Sequence, residues 1–171
     1  MRTIAEILKD IHDIACKQAM LHKIASSYMQ TNTLNGLKRK YRVISKKYYD
    51  LSFRVMTKAF DYYEVKITPL DNIIEYSPSN VIYHFDKWKD LAQKDLDKIG
   101  ELNKEFYELT GFDAPKTHEI KKMLLKQIEK SKRILHKYKS IGNESSFMVE
   151  LYAYDRFLHE KYKQIEEKVH D

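Results

Sequence analysis

The sequence predicts an all-α protein, a single-domain bundle of about five long helices over residues 1–171. Three observations carry that reading. Apolar residues recur at three- and four-residue spacing through five separate segments. The chain has only four Gly and three Pro, too few for the many turns of an all-β fold. With 43% hydrophobic and 33% charged residues over 171 positions, it can bury one core without disulfide or metal staples.

The first segment, from about Thr3 to Gln30, places Ile4, Ile7, Ile11, Ile14, Leu21, Ala25 and Tyr28 on one face. Asn35-Gly36 then marks a turn. The second, from about Leu37 to Ile67, keeps a near-heptad seam of Leu37, Tyr41, Ile44, Tyr48, Leu51, Val55, Tyr62 and Val65. Phe53, Met56, Phe60 and Tyr63 add a second apolar stripe, which predicts contact with several neighbours. Residues 68–80, with Pro69 and Pro78, predict the longest irregular stretch.

Ser79 or Asn80 caps a third helix, with Phe85, Trp88, Ala92, Ile99, Leu102, Phe106 and Leu109 inward, and Gly111 stops it. Asp113-Ala114-Pro115 predicts a capped start for the fourth. That helix aligns Ile120, Leu124, Ile128, Ser131, Leu135 and Tyr138 and ends at Gly142. Ser145 or Ser146 caps a fifth, which carries Phe147, Leu151, Tyr154, Leu158, Tyr162, Ile165 and Val169.

The N-terminal residues scatter Arg2, Glu6, Lys9, Asp10 and Asp13 among apolar positions, so they do not read as a signal peptide. No apolar run approaches the roughly 18–20 residues of a membrane span. Cys16, the one cysteine, reads as a small buried hydrophobe and permits no internal disulfide. The expected location is cytoplasmic, with no membrane partner.

Charge is segregated by helix. Residues 36–58 carry eight Lys or Arg and one acid, and residues 116–139 carry nine and two, so each segment is +7. With a whole-chain charge of +6, the remaining residues sum to −8. Stripes of this kind bind phosphate backbones or acidic protein surfaces. Their ordinary reading is a solvated face, or one turned toward the acidic third and fifth helices.

The candidate partner-binding residues are Lys38, Arg39, Arg42, Lys46, Lys47 and Tyr49 on the second helix. Lys122, Lys126, Lys130, Arg133 and Lys137 join them on the fourth. Tyr49 is the tyrosine placed to stack on a base, whereas Tyr41 and Tyr48 fall on the core seam.

The histidines stand singly, with no His-Glu-x-x-His. A composite metal site would have to draw on His12, His84 and His159 from separate helices. Asp97, Glu101, Glu105 and Glu108 share a face of the third helix, interleaved with Lys98 and Lys104 as on a solvated surface. No Gly-rich phosphate loop or nucleophile motif is present, so no catalytic residue is assigned.

The order of two long helices, a long connection and two more long helices resembles the ferritin-like superfamily. There a long crossover joins the second and third helices of a four-helix core. The stretch MLHKIASSYMQTNTLNGLKRKYRVISKKYYDLSF is similar to that family's first-to-second helix region. The resemblance implies a four-helix core plus a fifth helix. Its di-iron members need a Glu on each of two helices and a Glu-x-x-His on each of two others. This chain has no Glu between Glu6 and Glu64, and its Glu-x-x-His runs from Glu167 to His170 near the C-terminus. No metal or cofactor is therefore expected.

Thirteen irregular residues can span at most about 43–47 Å. That suffices for a full-length crossover and leaves an up-and-down connection open. A crossover would place the two basic helices side by side. The function expected is non-enzymatic binding of an acidic partner, nucleic acid or protein, through the second and fourth helices. The alternatives are a ferritin-like bundle with a degenerate metal or small-ligand site, or a structural homo-oligomer. Met56, Tyr63, Met123 and Met148 would favour a subunit interface.

Overall fold

The computed structural model of the chain describes residues 2–72 and 74–170, without the side chains of Val169 and His170. Five helices run in order: α1 (Ile4–Thr31), α2 (Asn35–Tyr63), α3 (Val81–Thr110), α4 (Thr117–Ile141) and α5 (Glu144–His170). Apolar periodicity placed all five. Local chemistry moved their ends.

Asn80 caps α3 as expected, accepting from the Tyr83 amide at 2.8 Å, and Gly111 ends it in the left-handed region. The second helix stops at Tyr63, four residues short of the predicted end, because Glu64 turns left-handed. Asp113 does not cap α4. Instead Asn103 of α3 holds residues 113–114 from both sides, donating to the Asp113 carboxylate and accepting from the Ala114 amide at 2.7 Å. Lys116 then enters α4 with φ +62°. Asn143, rather than Ser145 or Ser146, starts α5 by accepting from the Ser146 amide at 3.1 Å.

The packing partners settle the topology. Helix α1 lies against α2 and α3, α4 against α3, and α2 against α1, α4 and α5. Helices α2 and α3 sit on a diagonal. One apolar cluster gathers the start of α1 (Ile7, Ile11), the end of α2 (Val55), the end of α3 (Phe106) and the start of α4 (Ile120). The other joins the opposite ends through Met29, Leu37, Phe85 and Phe147. Thus α2 and α3 run parallel, and the connection between them crosses the full length of the bundle.

The crossover is stitched down. Ile67 is buried, Lys9 donates to the Thr68 carbonyl at 3.0 Å, and the Tyr76 hydroxyl bonds His84 of α3. Between the two clusters lies a belt of buried polar groups that includes Gln18, Ser45, Asp95 and Gln127.

Several predicted inward positions lie outside. Tyr62 is 71% exposed beneath Lys58, and Leu109 is 43% exposed. Helix α2 does touch several neighbours, but Phe53 and Phe60 of its second stripe are 65% and 61% exposed and take no part in those contacts. Conversely, Met56, Tyr63, Met123 and Met148 are half-buried against the two clusters.

Helix α5 is joined to α2 at one close point. The first amides of α2 have no local side-chain cap. Asp155 of α5 supplies one from outside, accepting from Gly36 at 3.0 Å and Leu37 at 2.7 Å. Gly36 makes the approach possible. A Cβ there would overlap the Asp155 carbonyl oxygen and stand 2.7 Å from the His159 amide.

Leu51, 8% exposed in the first cluster, should cost about 2–5 kcal/mol when changed to Ala, read as a shift in urea midpoint. Gly36→Ala should detach α5 from the start of α2. Helicity by circular dichroism would largely persist, while limited proteolysis would release a C-terminal fragment that the unaltered chain protects.

Candidate functional site

Two carboxylates are buried among the described residues, Asp155 at the start of α2 and Asp95, which is 3% exposed. It is already held by Lys17 Nζ and Gln18 Nε2, each at 2.7 Å. Among the described residues no three His, Cys, Asp or Glu side chains come together. His12 pairs with Asp13 at 2.9 Å, and His84 is held between Tyr41 and Tyr76. His159 lies against the start of α2. The composite set of His12, His84 and His159 is therefore not assembled, and the His170 side chain of Glu167-x-x-His170 is not among the described ones. The donor set does not fit a di-iron centre.

A cavity of about 310 Å³ opens between α2, α4 and α5. Helix α2 contributes Lys40 and Lys47, α4 contributes Lys126 and Lys130, and α5 contributes Lys161. Its apolar wall includes Tyr41, Phe85 and Trp88, with His22 of α1 among them. No carboxylate is among the described residues that line it. None of the five lysines forms a salt bridge to a described carboxylate, although α5 does neutralise neighbouring positions. Arg39 pairs with Glu166 at 3.1 Å, and Lys137 with Glu150 at 3.2 Å.

Lys40 is 6% exposed and turns inward. Burial, then the neighbouring Lys130 and Lys161 ammonium groups, push its pKa down to about 7. Burial also lowers Lys130, which lines the cavity beside Lys40. Gln127 completes the polar lining. Its Nε2 donates to the Trp88 carbonyl at 3.2 Å, while its buried Oε1 has no partner among the described residues.

Burial holds His22 and His84 neutral. The His22 Nδ1 donates to the Gln18 carbonyl at 2.7 Å. The His84 Nε2 meets the Tyr41 hydroxyl at 2.9 Å, and burial pushes both rings down to about 3.

No protein-family profile matches the chain, and no curated protein does either. Solved structures do. A novel open-pore ferritin from the hyperthermophilic archaeon Archaeoglobus fulgidus superposes with a TM-score of 0.74 at 14% identity, over 93% of this chain and 98% of that one. A humanized archaeal ferritin gives 0.77 at 15% identity, over 91% and 94%. An Archaeoglobus fulgidus ferritin engineered into a closed form gives 0.75 at 13%, over 93% and 97%.

The fold is ferritin-like.

On this ferritin-like bundle the sequence-named residues separate into groups. Lys47, Lys126 and Lys130 line the cavity, while Arg133 and Lys137 line an adjoining one between α4 and α5. Arg39 is paired as described, and Lys38 is half-buried beside it. Arg42, Lys46 and Lys122 are exposed away from the cavity. Tyr49 faces a different groove, with Met20, Lys23 and Ile24.

Lys40 and Lys161 were missed as site residues. Lys40 and Lys47 stand seven apart beside seam residues Leu37, Tyr41 and Ile44, a register that turns both toward a neighbouring helix. Lys161 precedes the seam residue Tyr162.

His22 and His84 each carry a pKa of about 3 in the fold and 6.5 in an open chain. Between those values the unfolded state binds two more protons than the folded one. Stability present above pH 6.5 is therefore lost as pH falls toward 3, by about 2.7 kcal/mol per unit from the pair. Urea melts at pH 7, 5.5 and 4.5 check the slope, and His84→Gln should remove roughly half of this contribution.

Proposed function

We propose that this ferritin-like bundle binds a small amphipathic organic anion in the cavity between α2, α4 and α5. The observation that carries the reading is the convergence of five lysines, none paired with a described carboxylate, on an aromatic-walled cavity with no carboxylate among its described lining residues. Holding Lys40 buried and Lys130 half-buried among like charges is costly, and an anion relieves that cost. The aromatic wall would take an apolar body while the ammonium groups hold the head, the usual division of labour in a ligand cavity. A bound anion also favours the charged form of Lys40, so binding above pH 7 should take up a proton. Affinity should fall as pH rises past that point.

A second reading keeps the acidic macromolecule, nucleic acid or protein, on the outer faces of α2 and α4. Arg42, Lys46 and Lys122 support it, being exposed and unpaired to described carboxylates. Two triple charge reversals separate the readings. Lys126→Glu, Lys130→Glu and Arg133→Glu together should reduce binding of phenyl phosphate by at least about tenfold, or roughly 1.4 kcal/mol, in calorimetry. Arg39→Glu, Arg42→Glu and Lys46→Glu should leave it nearly unchanged. A macromolecular surface would be weakened by both, with retention on heparin or duplex DNA falling steeply as salt rises. If phenyl phosphate does not bind the unaltered chain, the small-anion reading fails.

A further inference from the structure

We infer that Lys40 is a nucleophile that captures an anionic carbonyl compound, such as an aromatic 2-oxo acid, as a reversible imine in this cavity. The inference rests on the small-anion reading above and gives the site a covalent chemistry. Four observations place the reaction at Lys40 rather than at its neighbours.

The first is burial without a counter-ion. Lys40 is 6% exposed, and among the described residues no carboxylate pairs with it. A structural buried lysine is normally neutralised by an acid, because an unpaired buried ammonium is costly. The second is the company it keeps. Lys130 and Lys161 crowd the same end of the cavity, with Lys47 and Lys126 also facing in. Desolvation and adjacent cations together are how a protein keeps a lysine as free amine, and a free amine is the nucleophilic form. The low pKa of Lys40, about 7, agrees with this geometry.

The third is the proximity of Lys130. It lines the same cavity and is half-buried where Lys40 is buried, so it is the better solvated of the two amines and the one placed to carry the proton. The fourth is room beside the amine. The cavity holds about 310 Å³, with Tyr41, Phe85 and Trp88 available to an aromatic body. The carboxylate of a 2-oxo acid would then sit among Lys126, Lys130 and Lys161. Its neighbouring carbonyl carbon would be presented to Lys40.

The step balances without a co-reactant. Lys40 Nζ adds its lone pair to the carbonyl carbon, and the carbonyl oxygen takes a proton from Lys130 to give a carbinolamine. A second proton turns that hydroxyl into leaving water as the nitrogen lone pair forms the C=N bond. Both protons are matched by the two hydrogens the amine nitrogen surrenders, so Lys130 ends as it began. The net change is one amine and one carbonyl converted to one imine and one water. Nothing is oxidised or reduced.

The test is reductive trapping on the full chain with phenylpyruvate as probe. Sodium cyanoborohydride is added at saturating probe across pH 6 to 10, followed by intact-mass measurement and peptide mapping. Phenyllactate, which has a hydroxyl in place of the ketone, serves as the non-reacting anion in parallel calorimetry. One adduct per chain on the Lys40 peptide is expected. Its rate should rise with pH to a midpoint well below the ordinary lysine value, and phenyllactate should compete with it. Lys40→Arg should lose the adduct.

If phenyllactate binds but phenylpyruvate leaves no adduct, or only adducts spread over exposed lysines, the imine is overturned and the anion site stands. If neither compound binds, both readings fall. The deciding readout is peptide mapping of the unaltered protein, so it does not depend on the variant folding.

Discussion

The docking of α5 on the first turn of α2 is the contact on which the functional architecture depends. A helix N-terminus presents amides with no partner of their own, together with the positive end of the helix dipole. In α2 those amides are met by the Asp155 carboxylate, delivered from 118 residues further along the chain. Gly36 lets the two backbones come close enough for that delivery. With α5 anchored there, Leu158 and Tyr162 are buried in the second cluster and Lys161 reaches the cavity. Without that anchor, α2 and α4 would form an open cleft.

The full-length crossover is the second constraint. By running α2 parallel to α3 it makes α2 and α4 neighbours, bringing the two most basic segments of the chain together. The acidic positions of α5 answer part of that charge, through Glu166 with Arg39 and Glu150 with Lys137. They do so around the cavity rather than within it. Lys40 is buried and Lys130 half-buried against the aromatic wall, so the repulsion between these two is the least screened. A structure that only needed solubility would place such charges outward.

The buried belt between the apolar clusters shows how far this bundle stands from di-iron chemistry. Gln18, Tyr48 and Gln127 occupy the interior with Asp95, and Asp95 is committed to Lys17 and Gln18. The Tyr76–His84–Tyr41 chain serves the fold instead, fastening the crossover to α3 and α2 with a neutral histidine as double-ended link.

The sequence by itself determined the helices. Spacings of three and four apolar residues, Asn80 and Gly111 at the ends of α3, and the scarcity of Gly and Pro are local properties that do not depend on distant partners. It also determined that charge is segregated by helix. Only the tertiary structure decided which of those charges converge. Lys40 and Arg42 lie two apart on one basic helix, yet one is buried in a cavity and the other is exposed. The difference is about 200° of rotation around a helix of 3.6 residues per turn, and what stands on each side comes from distant chain. The fourth-helix start was misread for the same reason: Asn103, a residue of the preceding helix, holds Asp113 and the Ala114 amide. Helix propensity is short-ranged, whereas burial, capping from another helix and the lowering of an amine's pKa need groups far apart in sequence to meet.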